Sequence, residues 1–206
     1  MGLTDTIHSW SGFGRQECPF TDRLADVVPL GVIDIVLDVY PGKRVLVVAA
    51  SSSRLYKWAA STAGCEVVAR GNSPHSLQTA ITQLDRRGEE PYDLVVLDGH
   101  GNGDDDSPAT FDSGVANGIE LGQPVISARG IVLSLCFGGT KKYVDAVTAR
   151  NPGIEVVGPE KVIYGGSFPA VVKPLIEGVL RGELLHDLVN GVSGWKFMVT
   201  PNDPSR

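Results

Sequence analysis

Cysteine is scarce in this chain. There are three in 206 residues, Cys18, Cys65 and Cys136, an odd number in dissimilar contexts, with no CxxC pair and no His-x3-His partner. Neither a disulfide framework nor a structural zinc site is expected from that pattern. Basic clusters are missing as well: the formal net charge is -6 and no run of five Lys or Arg occurs, which excludes a broad nucleic-acid surface. No apolar run reaches the roughly 18 residues of a membrane span. The opening, "MGLTDTIHSWSGFGRQECPF", has neither a basic n-region nor an apolar h-region. The expectation is a cytoplasmic protein with no secretory signal and no membrane or nucleic-acid partner. Two catalytic signatures are also absent. The turn "AASSSRL" lacks the glycines of a Rossmann or P-loop fingerprint, and "YGGSFP" lacks the second glycine of a serine-hydrolase elbow.

What is present is a regular alternation. An apolar content of 42% suffices for a full core. From Lys43 onward, short β-branched runs alternate with amphipathic segments, the pattern of βαβ units and a parallel sheet. Strands are predicted at "RVLVVAAS", "CEVVAR", "YDLVVLDG", "GIVLSLC", "IEVVGP" and "KVIYGG". Helices are predicted at "RLYKWAASTAG", "SPHSLQTAITQLDRRG" and "KKYVDAVTAR", with one or two closing helices in "PAVVKPLIEGVLRGELLHDLVNGV", kinked at Pro174. Residues 101 to 129 read as a loop-rich crossing with room for a helical turn. No repeat or linker divides the chain. Residues 1–42 are taken as an N-terminal extension packed on a single domain spanning 43–206.

Two of the strands end alike. "LVVLDGHGNG" runs into His100 and Gly101, and "GIVLSLCFGG" runs into Cys136, with Gly138 and Gly139 just beyond. In an open parallel sheet the carboxyl ends of the strands share one edge, so neighbouring strands would bring His100 and Cys136 together. A thiolate is the nucleophilic form of cysteine, and a nearby imidazole lowers its effective pKa and later protonates a leaving amine. Glycines beside both residues let a substrate backbone approach and leave N–H groups facing a developing oxyanion. Gly101 and Cys136 are the natural donors.

These motifs resemble the caspase-like cysteine peptidases, a group that includes caspases, metacaspases, legumain, separase, gingipains and the CHAT domains. "DGHG" is similar to the metacaspase form of the histidine motif, while "LSLCFGG" and the tail "VIYGGSFPAVVKPLIEGVLRGELLHDLVNG" look closer to CHAT domains. The likeness covers residues 43 to 191. It implies a three-layer α/β/α caspase-like fold with a mostly parallel sheet. It also implies a His100/Cys136 dyad, an oxyanion held near Gly101 and Cys136, and cleavage of peptide bonds in a protein or peptide substrate without a cofactor. Two departures bear on specificity. Metacaspases and legumain carry an acidic residue two positions before the nucleophile, whereas this chain has Ser134, so their basic P1 preference does not carry over. Caspases take a P1-binding arginine from the loop after the first strand, and "ASSSRL" sets Arg54 in similar surroundings. Arg54, Asp98 and Ser134 are therefore the candidate substrate-binding positions.

Two rival readings stand beside this one. The first keeps the caspase-like fold as an interaction or regulatory module with little activity, since fold does not fix function. The second makes Asp98, His100, Asp104, Asp105 and Asp106 an oxygen-rich metal site, although their spacing matches no EF-hand or zincin pattern and a solvated acidic loop is the plainer account, so no metal is expected. His8, His75 and His186 read as solvated or capping residues, and Cys18 and Cys65 as structural or incidental.

Overall fold

The computed structural model describes residues 42–50, 53–70, 84, 90–103, 106–111, 118–162 and 168–199. The chain divides into two units between Val36 and Leu37, and every described residue belongs to the second. The expected extension, apart from Gly42, and nearly all of the expected helix at "SPHSLQTAITQLDRRG" lie outside the described residues.

Six strands form one sheet: β1 (Val45–Ala49), β2 (Cys65–Arg70), β3 (Tyr92–Asp98), β6 (Ala128–Ser134), β7 (Glu155–Pro159) and β8 (Trp195–Val199). Their order is β2-β1-β3-β6-β7-β8, and every pair is parallel except β7 with β8. β1, β3, β6 and β7 are covered on both faces, which is why β1 reads as continuous apolar sequence rather than as alternation. Alternate residues part to opposite faces. Leu46, Val48, Val95, Leu97, Ile131 and Leu133 enter one core, and Val45, Val47, Leu94, Val96 and Val132 enter the other.

The helices follow from which faces need cover. On the first face lies α2 (Lys141–Thr148), whose Tyr143, Val144 and Val147 are buried at helical spacing while Lys141 and Asp145 pair outside. The second face is covered by α1 (Ser53–Ala60), α3 (Phe168–Leu180) and α4 (Leu185–Val189). Buried Asn151, just past α2, donates to Val147 O at 2.8 Å and accepts the Ile126 N–H at 2.6 Å, so the end of α2 and the approach to β6 are stapled together. No helix among the described residues is long and apolar enough to cross a membrane.

Several expectations need correcting. The crossing at 101–129 holds a short antiparallel hairpin, β4 (Thr110–Phe111) with β5 (Ile119–Glu120), rather than loop alone. At "KVIYGG", Lys161 and Val162 are not strand, and 163–166 lie outside the described residues. The last strand is instead β8, a segment with no expected element, which pairs antiparallel with distant β7. The closing region, by contrast, is two helices within the one or two expected, with Pro174 inside the first.

Candidate active site at the carboxyl edge of the sheet

The strands leading to His100 and Cys136 are neighbours. β3 and β6 pair in parallel with Asp98 opposite Ser134, so both chains leave the sheet at the same edge and the same level. That is the adjacency expected from the two similar strand endings. Both strands stop two residues short of the candidate dyad, which places His100 and Cys136 in the turns above the edge. His100 is exposed, and Gly101 and Cys136 are half-buried.

The two turns touch. A Cβ on Gly101 would collide with the Cys136 carbonyl oxygen, would come within 2.5 Å of Leu135 Cδ1, and would lie 2.9 Å from the Tyr143 hydroxyl. Only glycine permits that approach, because any side chain would push the histidine turn off the cysteine turn. A Cβ on Gly103 would likewise sit 2.5 Å from the Phe137 ring, so the contact extends two residues further along the histidine turn and one further along the cysteine turn.

The cysteine turn is strained and firmly held. Phe137 has φ 63°, left-handed backbone that a bulky residue rarely adopts. Strain of this kind persists only where the surroundings over-determine it, and here they do. The Phe137 N–H donates to Lys161 O at 3.3 Å, Gly139 N–H to Pro159 O at 2.8 Å, and Thr140 N–H and Oγ1 both to Phe137 O, at 2.9 and 2.7 Å. Gly139 and Gly158 lie so close that a Cβ on either would meet the other's backbone.

Asp98 and Ser134 are fully buried, and the Ser134 hydroxyl donates to Asp98 Oδ1 at 3.1 Å. A buried carboxylate is costly unless bonded, and this pair meets part of that need in the layer below the two turns. Both residues support the edge from beneath rather than lining its surface. Arg54 is exposed on the first turn of α1, which follows β1, the other neighbour of β3. Its closeness to the site extends to sharing that sheet edge.

The acidic loop is divided: Asp106 is exposed, while Asp104 and Asp105 lie outside the described residues. No group of three or more His, Cys, Asp or Glu residues placed to hold a metal ion occurs among the described residues. Cys65, half-buried in β2, has its thiol pushed up to about 11 by burial, which keeps it protonated and unreactive at neutral pH. His186 is exposed on α4, 3.2 Å from Asp187 and edge-on to Phe197. A cavity of about 280 Å³ lies there, lined in part by Asn190, Trp195, Lys196 and Phe197, and neither His100 nor Cys136 borders it.

Two residues of the site escaped the sequence reading. Asn102 and Tyr143 join the loop after His100 to the helix after Cys136: the Tyr143 hydroxyl accepts the Asn102 N–H at 2.6 Å and lies 2.6 Å from Asn102 Oδ1. Tyr143 sits at core spacing on α2, so periodicity marks it only as apolar.

No protein-family model matches the chain, and a search of curated proteins found no match.

Proposed function

We propose that the protein is a cysteine endopeptidase of caspase-like type, with Cys136 as nucleophile and His100 as its acid and base. The observation that carries this reading is the packing of Gly101 onto the Cys136 carbonyl, which abuts the turns bearing the two residues. The parallel sheet with cores on both faces supports the three-layer caspase-like architecture that the motifs imply. The strained Phe137 beside the cysteine adds a second support, since backbone strain gathers at working sites.

In the proposed reaction the Cys136 thiolate attacks the carbonyl carbon of the scissile peptide bond, and the carbonyl π-electrons move to oxygen. The Gly101 and Cys136 N–H groups face that oxyanion. Collapse of the tetrahedral species breaks the C–N bond, and the amine leaves with a proton from the His100 imidazolium. Neutral His100 then takes a proton from water, whose oxygen attacks the thioester, releasing the acid and restoring the thiol. No cofactor takes part, and the setting is cytoplasmic.

The test is a positional-scanning peptide cleavage assay on the whole protein, with and without calcium and EDTA. Cys136→Ala should abolish turnover, and His100→Ala should lower kcat/KM by roughly 100-fold or more. Loss of hydrolysis to EDTA with Cys136→Ala still active would transfer the reaction to a metal site. A wild-type protein that cleaves no peptide in the library would leave the fold serving as an interaction module.

A further inference from the structure

We propose that Tyr143 is a positioning residue for the dyad, holding the His100 turn against the Cys136 turn through Asn102; this rests on the peptidase reading above. Tyr143 is wholly buried, yet its hydroxyl points out of the core into the loop that follows β3. There it accepts the Asn102 N–H at 2.6 Å, and Asn102 Oδ1 at 2.6 Å, Thr110 O at 3.0 Å and Asn102 O at 3.3 Å surround it as acceptors. A phenol has one hydrogen to give, and the shortest contact directs it to Asn102 Oδ1. The Asn102 side chain in turn donates to Pro108 O at 2.9 Å and to Ser107 Oγ, so Ser107, Pro108 and Thr110 gather around the Asn102 amide and the Tyr143 hydroxyl.

The anchor belongs to the nucleophile's own element. Thr140, bonded to Phe137 O, leads directly into α2, which carries Tyr143. A closed path therefore runs from Cys136 through Phe137, Thr140, Tyr143 and Asn102 to Gly101 and His100, and the close approach of Gly101 to Cys136 O completes it. Phenylalanine would fill the same core volume. What it would lose are the hydroxyl's bonds to Asn102 and Thr110, both of which belong to the segment after the histidine. The role of the hydroxyl is thus to fix where the imidazole stands relative to the sulfur, a separation to which proton transfer is steeply sensitive.

The test is a double-mutant cycle on the full chain, read by the iodoacetamide alkylation rate of Cys136, followed by peptide mass spectrometry across pH, and by steady-state peptide cleavage. Tyr143→Phe should slow Cys136 alkylation near neutral pH by about tenfold or more and shift its pH profile toward that of His100→Ala. It should lower kcat by a similar factor while KM stays within about twofold. Added to His100→Ala, it should change nothing further, because it acts only through the histidine. Asn102→Ala should reproduce the cycle if Tyr143→Phe fails to fold. An unaltered pH profile in the single variant, or an equal further loss on top of His100→Ala, overturns the proposal. Equal alkylation of wild type and His100→Ala would instead overturn the peptidase reading, and the positioning role would fall with it.

Discussion

β3 carries an aspartate at each end, and the two are treated in opposite ways. Asp93, at the amino edge, accepts from Lys43 Nζ at 2.8 Å and from the Arg44 backbone N–H at 3.0 Å, and the Arg129 guanidinium lies 3.5 Å away. Burial pushes its carboxyl up, but the Lys43 and Arg44 hydrogen bonds and the Lys43 and Arg129 charges outweigh that and hold it below the ordinary range. Beside it, the Tyr92 hydroxyl donates to Glu66 at 2.7 Å and Arg44 lies over the Tyr92 ring. Asp98, at the carboxyl edge, is fully buried and bonded to a neutral serine. One end of the strand sets its aspartate beside charged side chains; the other sets a fully buried aspartate, bonded to Ser134, beneath a strained residue and glycines in contact. The strain held at the carboxyl end is what makes that end the candidate site, because interactions that only stabilise have no reason to accumulate strain.

The largest expected effect falls on the contact between the turns. Gly101→Ala should destabilise the protein by about 3 kcal/mol, the upper end for forcing atoms into a packed site, and should eliminate peptide cleavage; a thermal melt alongside the assay reads both. An unchanged melting temperature would mean that the turns move apart freely and that the edge is less rigid than its packing implies.

Next come the two aspartates. Asp98→Ala leaves a buried Ser134 hydroxyl without this acceptor and should cost about 2 kcal/mol in chemical denaturation, while Asp93→Ala should cost about 1 kcal/mol, its cations being free to turn to water. Equal losses would erase the contrast between the two ends of β3.

A smaller effect isolates strain. Phe137→Gly and Phe137→Ala lose the same ring, but only alanine retains a Cβ at positive φ, so the glycine variant should be the more stable of the two by about 1 kcal/mol. The reverse order in urea melts would show that Phe137 is not strained.

The smallest effect is a pH dependence. Because the folded-state pKa of Asp93 is lowered, its stabilisation is fully present above the unfolded value of about 3.9 and is lost as pH falls through the lower folded value. Asp93→Asn should flatten the acid limb of the stability profile without altering stability differences between pH 6 and 8.

How much of the molecule is legible in its sequence follows the range of the interactions. β1, β2, β3, β6 and β7 announce themselves as β-branched runs, and the shared endings of β3 and β6 suffice to make them neighbours. β8 does not, because "WKFMV" carries one β-branched residue and pairs with β7 some forty residues earlier. The β4–β5 hairpin has two residues per strand, too few for any period to register. Within the site, the glycines beside His100 and Cys136 can be read directly. The Asn102–Tyr143 link spans 41 residues and depends on a hydroxyl in an apolar position. Likewise the left-handed Phe137 stands where a glycine would have been the local signal.

The interlock of Gly139 with Gly158 has a consequence for how the molecule breathes. With the Gly139 N–H bonded to Pro159 O and no room for a side chain on either residue, the cysteine turn cannot detach from β7 without parting the sheet. Its amide proton should therefore exchange with deuterium only when the whole domain opens, on the timescale of global unfolding. Beyond the Gly99 N–H bond to Ser134 O at 3.2 Å, the histidine turn is held by the packing of Gly101 and by the Asn102 N–H bond to the Tyr143 hydroxyl, and its later amides should exchange through local openings more often. One wall of this edge is thus fixed to the sheet and the other yields sooner, so local opening of the edge would begin on the histidine side.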